Sequence, residues 1–355
     1  MPTRECSTGT STPGAPELDA AAQPIVMKAV VITAPGGVDV LEVREVARPE
    51  PSLGQVLVRV HATALNRADL MQREGRYPPP PGVPRDIPGL EFAGEVAELG
   101  PEVTRWKVGQ RVFGIVGGGA YAEYLVSHER LLAEIPEALS YAEAAAVPEA
   151  FITAHDALVT QASLRPSESV LIHAVASGVG LAAVQLVRAL GAVPFGTARG
   201  QGKLARAKQL GLEDGWAATD DLSALAAHAK RWSGGRGINV VLDLVGGAYF
   251  PVSIEVMAPL GRLMVIGTIA GRDAQIPLGR VLSSRITIRG TMLRGRALEE
   301  KIVATRAFEE QVVPLLARGL VRAVVDREYP LADVRAAHTR LESNETVGKI
   351  VLRVT

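Results

Sequence analysis

The alternation of apolar and polar residues in the first third of the chain predicts β-strands. Val56, Val58 and Val60 lie on one face of the segment "QVLVRVHA", and its polar residues lie on the other. The segments "EFAGEVAEL" and "AYAEYLV" show a similar two-residue period, and clusters of Pro and Gly separate them. The chain between Met27 and Leu132 is therefore predicted to form an all-β module with long loops.

From about Pro148 onwards, strand-like runs alternate with helical ones. The strand "SVLIHA" precedes the amphipathic helix "GVGLAAVQLVRALGA", which ends at Gly191, and "VPFGTA" precedes the helix "GKLARAKQLG". Further strand-like runs follow at the spacing of βα units: "INVVLDLVGG", "RLMVIGTIAG" and "RITIRGTM". This pattern is typical of an α/β fold with a doubly wound parallel sheet.

The two ends of the chain differ from the middle. After Ala297 the segment "LEEKIVATRAFEEQVVPLLARG" predicts one helix, and the terminal "KIVLRV" predicts a strand that returns to the first module. Residues 1–26 are rich in Ser, Thr, Pro, Gly and Ala, and they lack the features of a signal or transit peptide. They are predicted to form a flexible extension, in which Cys6 is a surface thiol and not a catalytic group.

A glycine turn between a strand and a helix is the first candidate for a binding site. In "LIHAVASGVG", the first two glycines of a G-x-G-x-x-G fingerprint are replaced by Val175 and Ser177, while the last, Gly180, is kept. Small side chains and a helix N-terminus suit a dinucleotide's phosphates. They suit an ordinary tight turn as well, so the local pattern leaves both interpretations open.

Composition narrows the classes of function. The chain has 355 residues, which favours two domains, and its 38 basic residues balance 38 acidic ones. This balance gives no reason to expect binding to nucleic acid or to an anionic membrane. A single cysteine excludes an internal disulfide and a multi-cysteine metal site, and it suits the cytoplasm. No run of about 20 apolar residues predicts a transmembrane helix.

Several segments, in order and over most of the chain, carry a family resemblance: "ALNRADLMQREGRYPPPPG", "PGLEFAGEV", "AAAVPEAFITA", "LIHAVASGVGLAAVQL", "LDLVGG" and "NETVGKIVL". Through them, Met27–Thr355 resembles the zinc-independent quinone oxidoreductase (zeta-crystallin-like) branch of the medium-chain dehydrogenase/reductase family. The resemblance implies a GroES-like catalytic domain (27–147 and 295–355) and a Rossmann cofactor-binding domain (148–294), with the active site between them. It also implies that Ser177–Gly180 is the pyrophosphate turn.

The same resemblance predicts that the site holds no metal. Zinc-dependent relatives bind the catalytic metal through a Cys in the segment matching "LNRAD" and a His in the segment matching "PGLE". These positions hold Asn66 and Leu90 here, and neither replaces a thiolate or an imidazole as a zinc ligand. His173 lies on a predicted buried strand and is expected to be a core residue, or a residue that supports the site from behind, and not a metal ligand.

Without a Lewis acid, the substrate is expected to be an electrophile that spreads the incoming charge itself, such as a quinone or a conjugated enone. The expected reaction is hydride transfer from nicotinamide C4, with a proton from solvent or a hydroxyl. Tyr77 and Asn66 are the candidate catalytic residues, as a donor to the substrate carbonyl and as a group that orients it or stabilises an oxyanion. Tyr77 alternatively packs on the proline loop.

The segment after the second strand of the parallel sheet favours NADPH over NADH. An NAD enzyme usually places Asp or Glu about 20 residues beyond the glycine turn. Here "VPFGTARGQGKLARAK" contains no acid, and Arg199 and Lys203 are placed to pair with a 2′-phosphate. The alternative is an exposed basic helix start. The family also uses a tyrosine after the next strand, where this chain has Ala218, and that departure weakens the predicted phosphate site.

The remaining predicted cofactor contacts follow from the resemblance, and each has a structural alternative. They comprise the residues of the turn, positions near the nicotinamide, the ends of later strands, and a lysine near the phosphates: Ser177, Gly178, Val179, Gly180, Thr153, Met292, Leu293, Gly246, Gly267, Thr268 and Lys349.

Two further expectations concern assembly and rival functions. The strand "RITIRGT" (Arg285–Thr291) is predicted to be a sheet edge that pairs with its copy in a homodimer. A quinone or enone is the expected small-molecule partner. An enoyl or alkenal reductase, or a non-catalytic NADPH-binding crystallin-like protein, would share the fold and the cofactor.

Overall fold

A computed structural model describes residues 25–219 and 221–354, together with Met1 and Thr3. Cys6 and nearly all of the predicted extension lie outside these residues. The first described strand begins at Val26, next to the Met27 at which the β-module was predicted to begin.

The bounds of the elements follow the predicted change from a β-module to alternating strands and helices. The first part of the chain contains β1 (Val26–Ile32), β2 (Leu41–Ala47), β3 (Gln55–Ala64), α1 (Arg67–Arg73), β4 (Glu91–Leu99), β5 (Arg111–Ile115), β6 (Tyr124–His128), β7 (Leu132–Glu134) and α2 (Tyr141–Ala145). The middle part contains α3 (Pro148–His155), β8 (Ser169–Ile172), α4 (Gly178–Ala189), β9 (Val193–Ala198), α5 (Gln201–Lys208), β10 (Asp214–Ala217), α6 (Ala224–Trp232), β11 (Ile238–Asp243), α7 (Tyr249–Val256), β12 (Met257–Val265), α8 (Leu278–Ser284) and β13 (Thr287–Gly290). The last part contains α9 (Leu298–Gln311), α10 (Val313–Ala317), β14 (Val325–Pro330), α11 (Val334–Glu342) and β15 (Lys349–Arg353).

The middle part forms one parallel sheet in the order β10-β9-β8-β11-β12-β13. The strand order reverses between β8 and β11, and a doubly wound sheet binds its ligand at the carboxyl ends of the strands on either side of such a point. The predicted doubly wound sheet is therefore confirmed.

A second sheet combines the two outer parts of the chain in the order β14-β15-β3-β4-β5-β7, and β6 also pairs with β3. β15 runs antiparallel to β3, with Val351 opposite Ala64. The return of the C-terminal strand to the first module is therefore confirmed. The sheets agree with the division drawn from the sequence, whose exact boundaries stay a prediction.

One apolar cluster joins the two sheets. It contains Phe113 of β5, Phe151 of α3, Leu181 of α4 and Phe308 of α9, all almost completely buried. The ring centroids of Phe113 and Phe308 lie 5.7 Å apart, and α3 of the middle part packs against both β5 and α9. This shared core fixes the two sheets relative to each other and so defines the cleft between them.

The single helix predicted after Ala297 is wrong, because the segment forms α9 and α10 with a break at Val312. Pro314 causes the break, since it has no N–H to donate to the preceding turn of a continuing helix. It lies at the beginning of α10, where a proline is tolerated.

Within residues 25–219 and 221–354, none of the helices is long and apolar enough to cross a lipid bilayer.

Candidate active site

The side chain of Lys349, the first residue of β15, crosses to the end of β3 and binds three groups there. Its Nζ donates to the carbonyl of Leu65 at 2.6 Å and to Asn66 Oδ1 at 2.6 Å. It also lies 2.7 Å from Glu91 Oε1, in an ion pair whose side chains are 6% and 0% exposed. Removing one partner of such a buried pair leaves an uncompensated charge.

Glu91 and Asn66 complete this network. Glu91 accepts from Asn66 Nδ2 at 2.9 Å through Oε1 and from the backbone N–H of Glu149 at 2.8 Å through Oε2. The second hydrogen of the Asn66 amide points to the carbonyl of Ala64 at 3.3 Å. The orientation of the carboxamide follows from its partners, because only its oxygen accepts from an ammonium and only its nitrogen donates to a carboxylate.

Asp69 holds the start of α1 in place. Its Oδ2 accepts from the backbone N–H of Asn66 at 2.7 Å and from the hydroxyl of Tyr121 at 2.9 Å. Complete burial raises the pKa of Asp69 to about 6, although these two hydrogen bonds and the nearby Lys349 oppose the shift. Asp69 therefore acts as a buried cap for the segment that carries Asn66.

Among the described carboxyl groups, Glu149 has the most strongly raised pKa. It is the second residue of α3, and most of its surface is buried. Burial, followed by the negative charge of Glu91, raises the pKa of Glu149 to about 8, while Lys349 and Arg294 act in the opposite direction. Glu149 therefore keeps its proton at neutral pH.

Tyr77 and Met292, two predicted site residues, are brought together. The hydroxyl of Tyr77 donates to Met292 Sδ at 3.1 Å. The guanidinium of Arg294 lies 4.7 Å from the centre of the tyrosine ring, and it also donates to the carbonyl of Tyr77. Burial raises the pKa of Tyr77, against the effect of Arg294. Tyr77 is thus neutral and held against the segment that follows β13.

Asp156 anchors that segment to the end of α3. It accepts from Thr291 Oγ1 at 3.0 Å and from Arg296 at 2.6 and 3.1 Å. Thr291 and Arg296 lie on either side of Met292 and the buried Leu293 in the sequence. The predicted nicotinamide residues therefore occupy a segment that is fixed at both ends.

The glycine turn has the geometry of a helix start with small side chains. Ser177 caps α4, since its Oγ accepts from the N–H of Gly180 at 3.1 Å. A Cβ on Gly180 would lie 2.6 Å from the carbonyl oxygen of Val175, which explains the retained glycine. The left-handed residue of the turn is Ala174 (φ 49°), while Val175 packs against Gly196. Ser177, Gly178 and Val179 are partly exposed.

Lys349 lies beside this turn, although its ammonium points away from it. A Cβ on Gly178 would lie 2.5 Å from Cδ of Lys349, so the lysine stem covers the first residue of α4. The backbone N–H of Gly348 also donates to the carbonyl of Ala176 at 2.9 Å. Lys349 therefore contacts the predicted phosphate turn through its methylene groups and the Asn66–Glu91 pair through its charge.

The two predicted 2′-phosphate residues lie at the carboxyl end of β9. Arg199 directly follows the strand and is exposed, and Lys203 lies in the first turn of α5. Lys203 Nζ donates to the carbonyl of Asn344 at 2.5 Å. Ala218 directly follows the neighbouring β10, as predicted from the family pattern.

Gly246, Gly267 and Thr268 lie beyond the ends of β11 and β12, where a nucleotide would cross the sheet. Gly246 also has a structural requirement, because its φ is +68° and an added Cβ would lie 2.8 Å from the carbonyl oxygen of Gly271. Thr153 is a partly exposed residue of α3.

No group of three or more His, Cys, Asp or Glu side chains is arranged to hold a metal ion in residues 25–219 and 221–354. The cation that Asn66 and Glu91 contact is the ammonium of Lys349. His173 is a core residue as predicted. It is fully buried between Thr197 and Ser253, and burial lowers its pKa to about 4.

Sequence reasoning missed Glu91, Glu149 and Arg294. The available signal for Glu91 is a carboxylate at the start of "EFAGEV", a strand whose first four residues are all buried. Glu149 follows a helix-initiating proline in an otherwise apolar segment, "AAAVPEAF". Arg294 carries no comparable signal, because its partners Gln72 and Gly117 are about 200 residues away in sequence.

The pKa of Glu149 generates a prediction about stability. An ordinary glutamate loses its proton near pH 4.5, whereas the folded protein retains the Glu149 proton to about pH 8. The free energy of unfolding should therefore fall as the pH rises through this window. Glu149→Gln removes the effect, so the variant should gain on the order of a few kcal/mol relative to the wild type between pH 5 and pH 9.

Urea unfolding at several pH values measures this difference. Glu137→Gln, at an exposed position, is the matched control and should follow the wild type. A stability difference between Glu149→Gln and the wild type that is constant from pH 5 to pH 9 would contradict the raised pKa.

Comparisons with known proteins agree with this architecture. Residues 52–137 match the family model described as an alcohol dehydrogenase GroES-like domain, and residues 178–311 match the model described as a zinc-binding dehydrogenase. The first model covers most of the strands of the β-module, and the second covers the parallel sheet from α4 onwards.

Relatives match almost the whole chain. A quinone oxidoreductase of Pseudomonas aeruginosa is 35% identical over 327 residues, which is 92% of this chain and 99% of the relative. The structure of Escherichia coli quinone oxidoreductase complexed with NADPH superimposes with a TM-score of 0.82 at 28% identity, covering 92% of this chain and 100% of that one. A structure named as an NAD-dependent alcohol dehydrogenase has a TM-score of 0.80 at 31% identity, covering 93% and 100%. The chain is thus an oxidoreductase with a GroES-like and a Rossmann domain, and it belongs to the quinone oxidoreductase branch of the medium-chain dehydrogenase/reductase family.

Proposed function

We propose that the protein is an NADPH-dependent quinone oxidoreductase that works without a metal. The proposal rests on which residues occupy the two positions that hold zinc ligands in zinc-dependent relatives. One is Leu90, and the other is Asn66, whose carboxamide is tied to Lys349 and Glu91. A site of this kind offers a substrate hydrogen bonds and no Lewis acid, so it favours an electrophile that spreads its own charge.

The residues around the glycine turn fit a dinucleotide. Gly178 and Gly180 leave no room for a Cβ, and the start of α4 presents backbone N–H groups in a partly exposed position. Ser177, Gly178, Val179 and Gly180 would hold the pyrophosphate. Bound NADPH supplies a hydride to the substrate.

Charge at the end of β9 supports NADPH over NADH. In the described part of the chain, the hydrogen-bond partner of Lys203 is the neutral carbonyl of Asn344, and Arg199 is exposed. Both cations suit a 2′-phosphate. No acid is present there to accept the ribose 2′-hydroxyl of NADH.

We also propose the remaining predicted residues as contacts of the cofactor. Gly246, Gly267 and Thr268 follow the carboxyl ends of β11 and β12, and Met292 contacts Tyr77. Together with Thr153 and Leu293, they would contact the nucleotide and its nicotinamide. The stem of Lys349 would border the phosphates.

Tyr77 and Asn66 would act on the substrate oxygen. Tyr77 keeps a neutral, donating hydroxyl, because its pKa is raised and its partner Met292 Sδ is a weak acceptor that a carbonyl would replace. Asn66 would exchange its longest hydrogen bond, 3.3 Å to Ala64, for the substrate oxygen. Glu149, protonated at neutral pH, would be a second proton donor in the same cleft.

A panel of electrophiles, followed by NADPH absorbance, tests the function. Quinones should be reduced rapidly, and saturated ketones should not react, because they need stronger stabilisation of an alkoxide. NADPH should serve better than NADH. Turnover of α,β-unsaturated carbonyls but not of quinones would support the alternative enoyl or alkenal reductase. Binding of NADPH without oxidation by any electrophile would support a non-catalytic protein.

The same assay tests Tyr77. Tyr77→Phe should lower kcat by about 10²-fold and leave the Kd of NADPH unchanged. A variant with unchanged kcat would assign Tyr77 to packing on the proline loop.

We also propose a homodimer that forms through β13. This strand is an edge of the parallel sheet, and α8, which precedes it, carries Leu278 and Leu282 with 72% and 80% exposure. Pairing with a second copy would cover both features. Light scattering at micromolar concentration should give twice the mass of the chain, and the mass of one chain would contradict the proposal.

We infer a cytoplasmic location from the single cysteine, and cell fractionation tests it.

A further inference from the structure

Asn344, in the loop between α11 and β15, accepts hydrogen bonds from cationic side chains on both sides of the cleft. The guanidinium of Arg67, the first residue of α1, donates to Asn344 Oδ1. Lys203 of α5 donates to the backbone carbonyl of the same residue at 2.5 Å. Arg67 therefore lies close to the residues at the end of β9, although it belongs to the part of the chain that forms the sheet containing β3 and β15.

Arg199 is the third member of this group of cations. Burial lowers the pKa of both Arg67 and Lys203, and in each case the positive charge of Arg199 is the next cause. Arg67 also contributes to lowering the pKa of Lys203. Three like charges close enough to affect one another are unfavourable unless an anion joins them.

The nearby acidic side chains form ion pairs with other cations. Glu342 and Asp326 are the negative charges that act on this group, but Glu342 pairs with Arg73, and Asp326 pairs with Arg340. Within the described residues, none of the three cations forms an ion pair with a carboxylate, and the partner shared by two of them is the neutral Asn344.

We propose that Arg67 is a third ligand of the cofactor's 2′-phosphate, together with Arg199 and Lys203. This inference rests on the proposed use of NADPH and adds a residue from the catalytic side of the cleft. A phosphate monoester carries about −1.5 to −2 charges at neutral pH, which matches a group of three cations. The planar fork of Arg67 suits two phosphate oxygens at once, and Asn344 holds it in position before the ligand arrives.

One consequence concerns the two domains. Arg199 and Lys203 belong to the parallel sheet's part of the chain, whereas Arg67 and Asn344 belong to the part that forms the other sheet. A 2′-phosphate bound by all three cations would link the two parts, and the 2′-hydroxyl of NADH would not.

The test uses 2′,5′-ADP and 5′-AMP, which differ only in the 2′-phosphate, and NADPH and NADH, titrated by calorimetry. Arg67→Met keeps the length of the side chain and removes the guanidinium. It should weaken the binding of 2′,5′-ADP and NADPH by about 10- to 100-fold and change the binding of 5′-AMP and NADH by less than about twofold. Arg67→Lys, which keeps a charge but not the fork, should fall in between. Arg206→Met, an exposed position one turn after Lys203 on α5, is the matched control and should bind like the wild type.

The two ligand pairs keep the result interpretable if the substitution affects folding. Equal weakening of 2′,5′-ADP and 5′-AMP binding, or no change in either, would overturn the role of Arg67 while leaving NADPH as the cofactor. A wild type that binds 2′,5′-ADP no better than 5′-AMP would overturn the proposed cofactor itself, and this inference with it.

Discussion

The buried ion pair between Lys349 and Glu91 is the constraint on which the cleft depends. It joins the C-terminal strand β15 to the start of β4, and it fixes the end of β3 through Leu65 and Asn66. The backbone of Glu149 at the start of α3 donates to the same carboxylate. Because every donor of the ammonium and both oxygens of the carboxylate have partners, the pair compensates for its own desolvation.

The chemistry available in the cleft follows from this arrangement. The pair sets the orientation of Asn66, and the charge of Glu91 helps Glu149 to retain its proton. The cleft therefore combines a fixed carboxamide and a neutral carboxylic acid. On the other side, Arg294 holds the neutral phenol of Tyr77. These groups are able to donate hydrogen bonds or protons to an oxygen. In the proposed reaction, the substrate itself would accept most of the charge of the hydride.

The sequence alone predicted most of the fold, because strands and helices of this kind leave local periodic patterns. Both sheets, the return of β15 to β3 and the glycine turn before α4 are examples. The break between α9 and α10 was missed because the apolar pattern continues through Val312, while Pro314 acts through the missing donor.

The candidate site was only partly predictable, because its contacts join distant parts of the chain. The family pattern placed Lys349 near the phosphates, and its stem does lie beside Gly178, but the pairing with Glu91 spans 258 positions and leaves no local signal. The proximity of Arg67 to Lys203 depends in the same way on Asn344, which lies 277 positions after Arg67 and 141 positions after Lys203. Periodicity specifies which face of an element is buried, but it does not specify which distant partner a charge meets there.

The central claim is that the cleft works with the ammonium of Lys349 and without a metal. The most direct measurement is the metal content of the purified protein by mass spectrometry, with quinone reduction assayed before and after dialysis against a chelator. The account predicts far less than one zinc per chain and unchanged turnover after dialysis. One tightly bound zinc per chain, with activity lost on its removal and restored by its return, would contradict it.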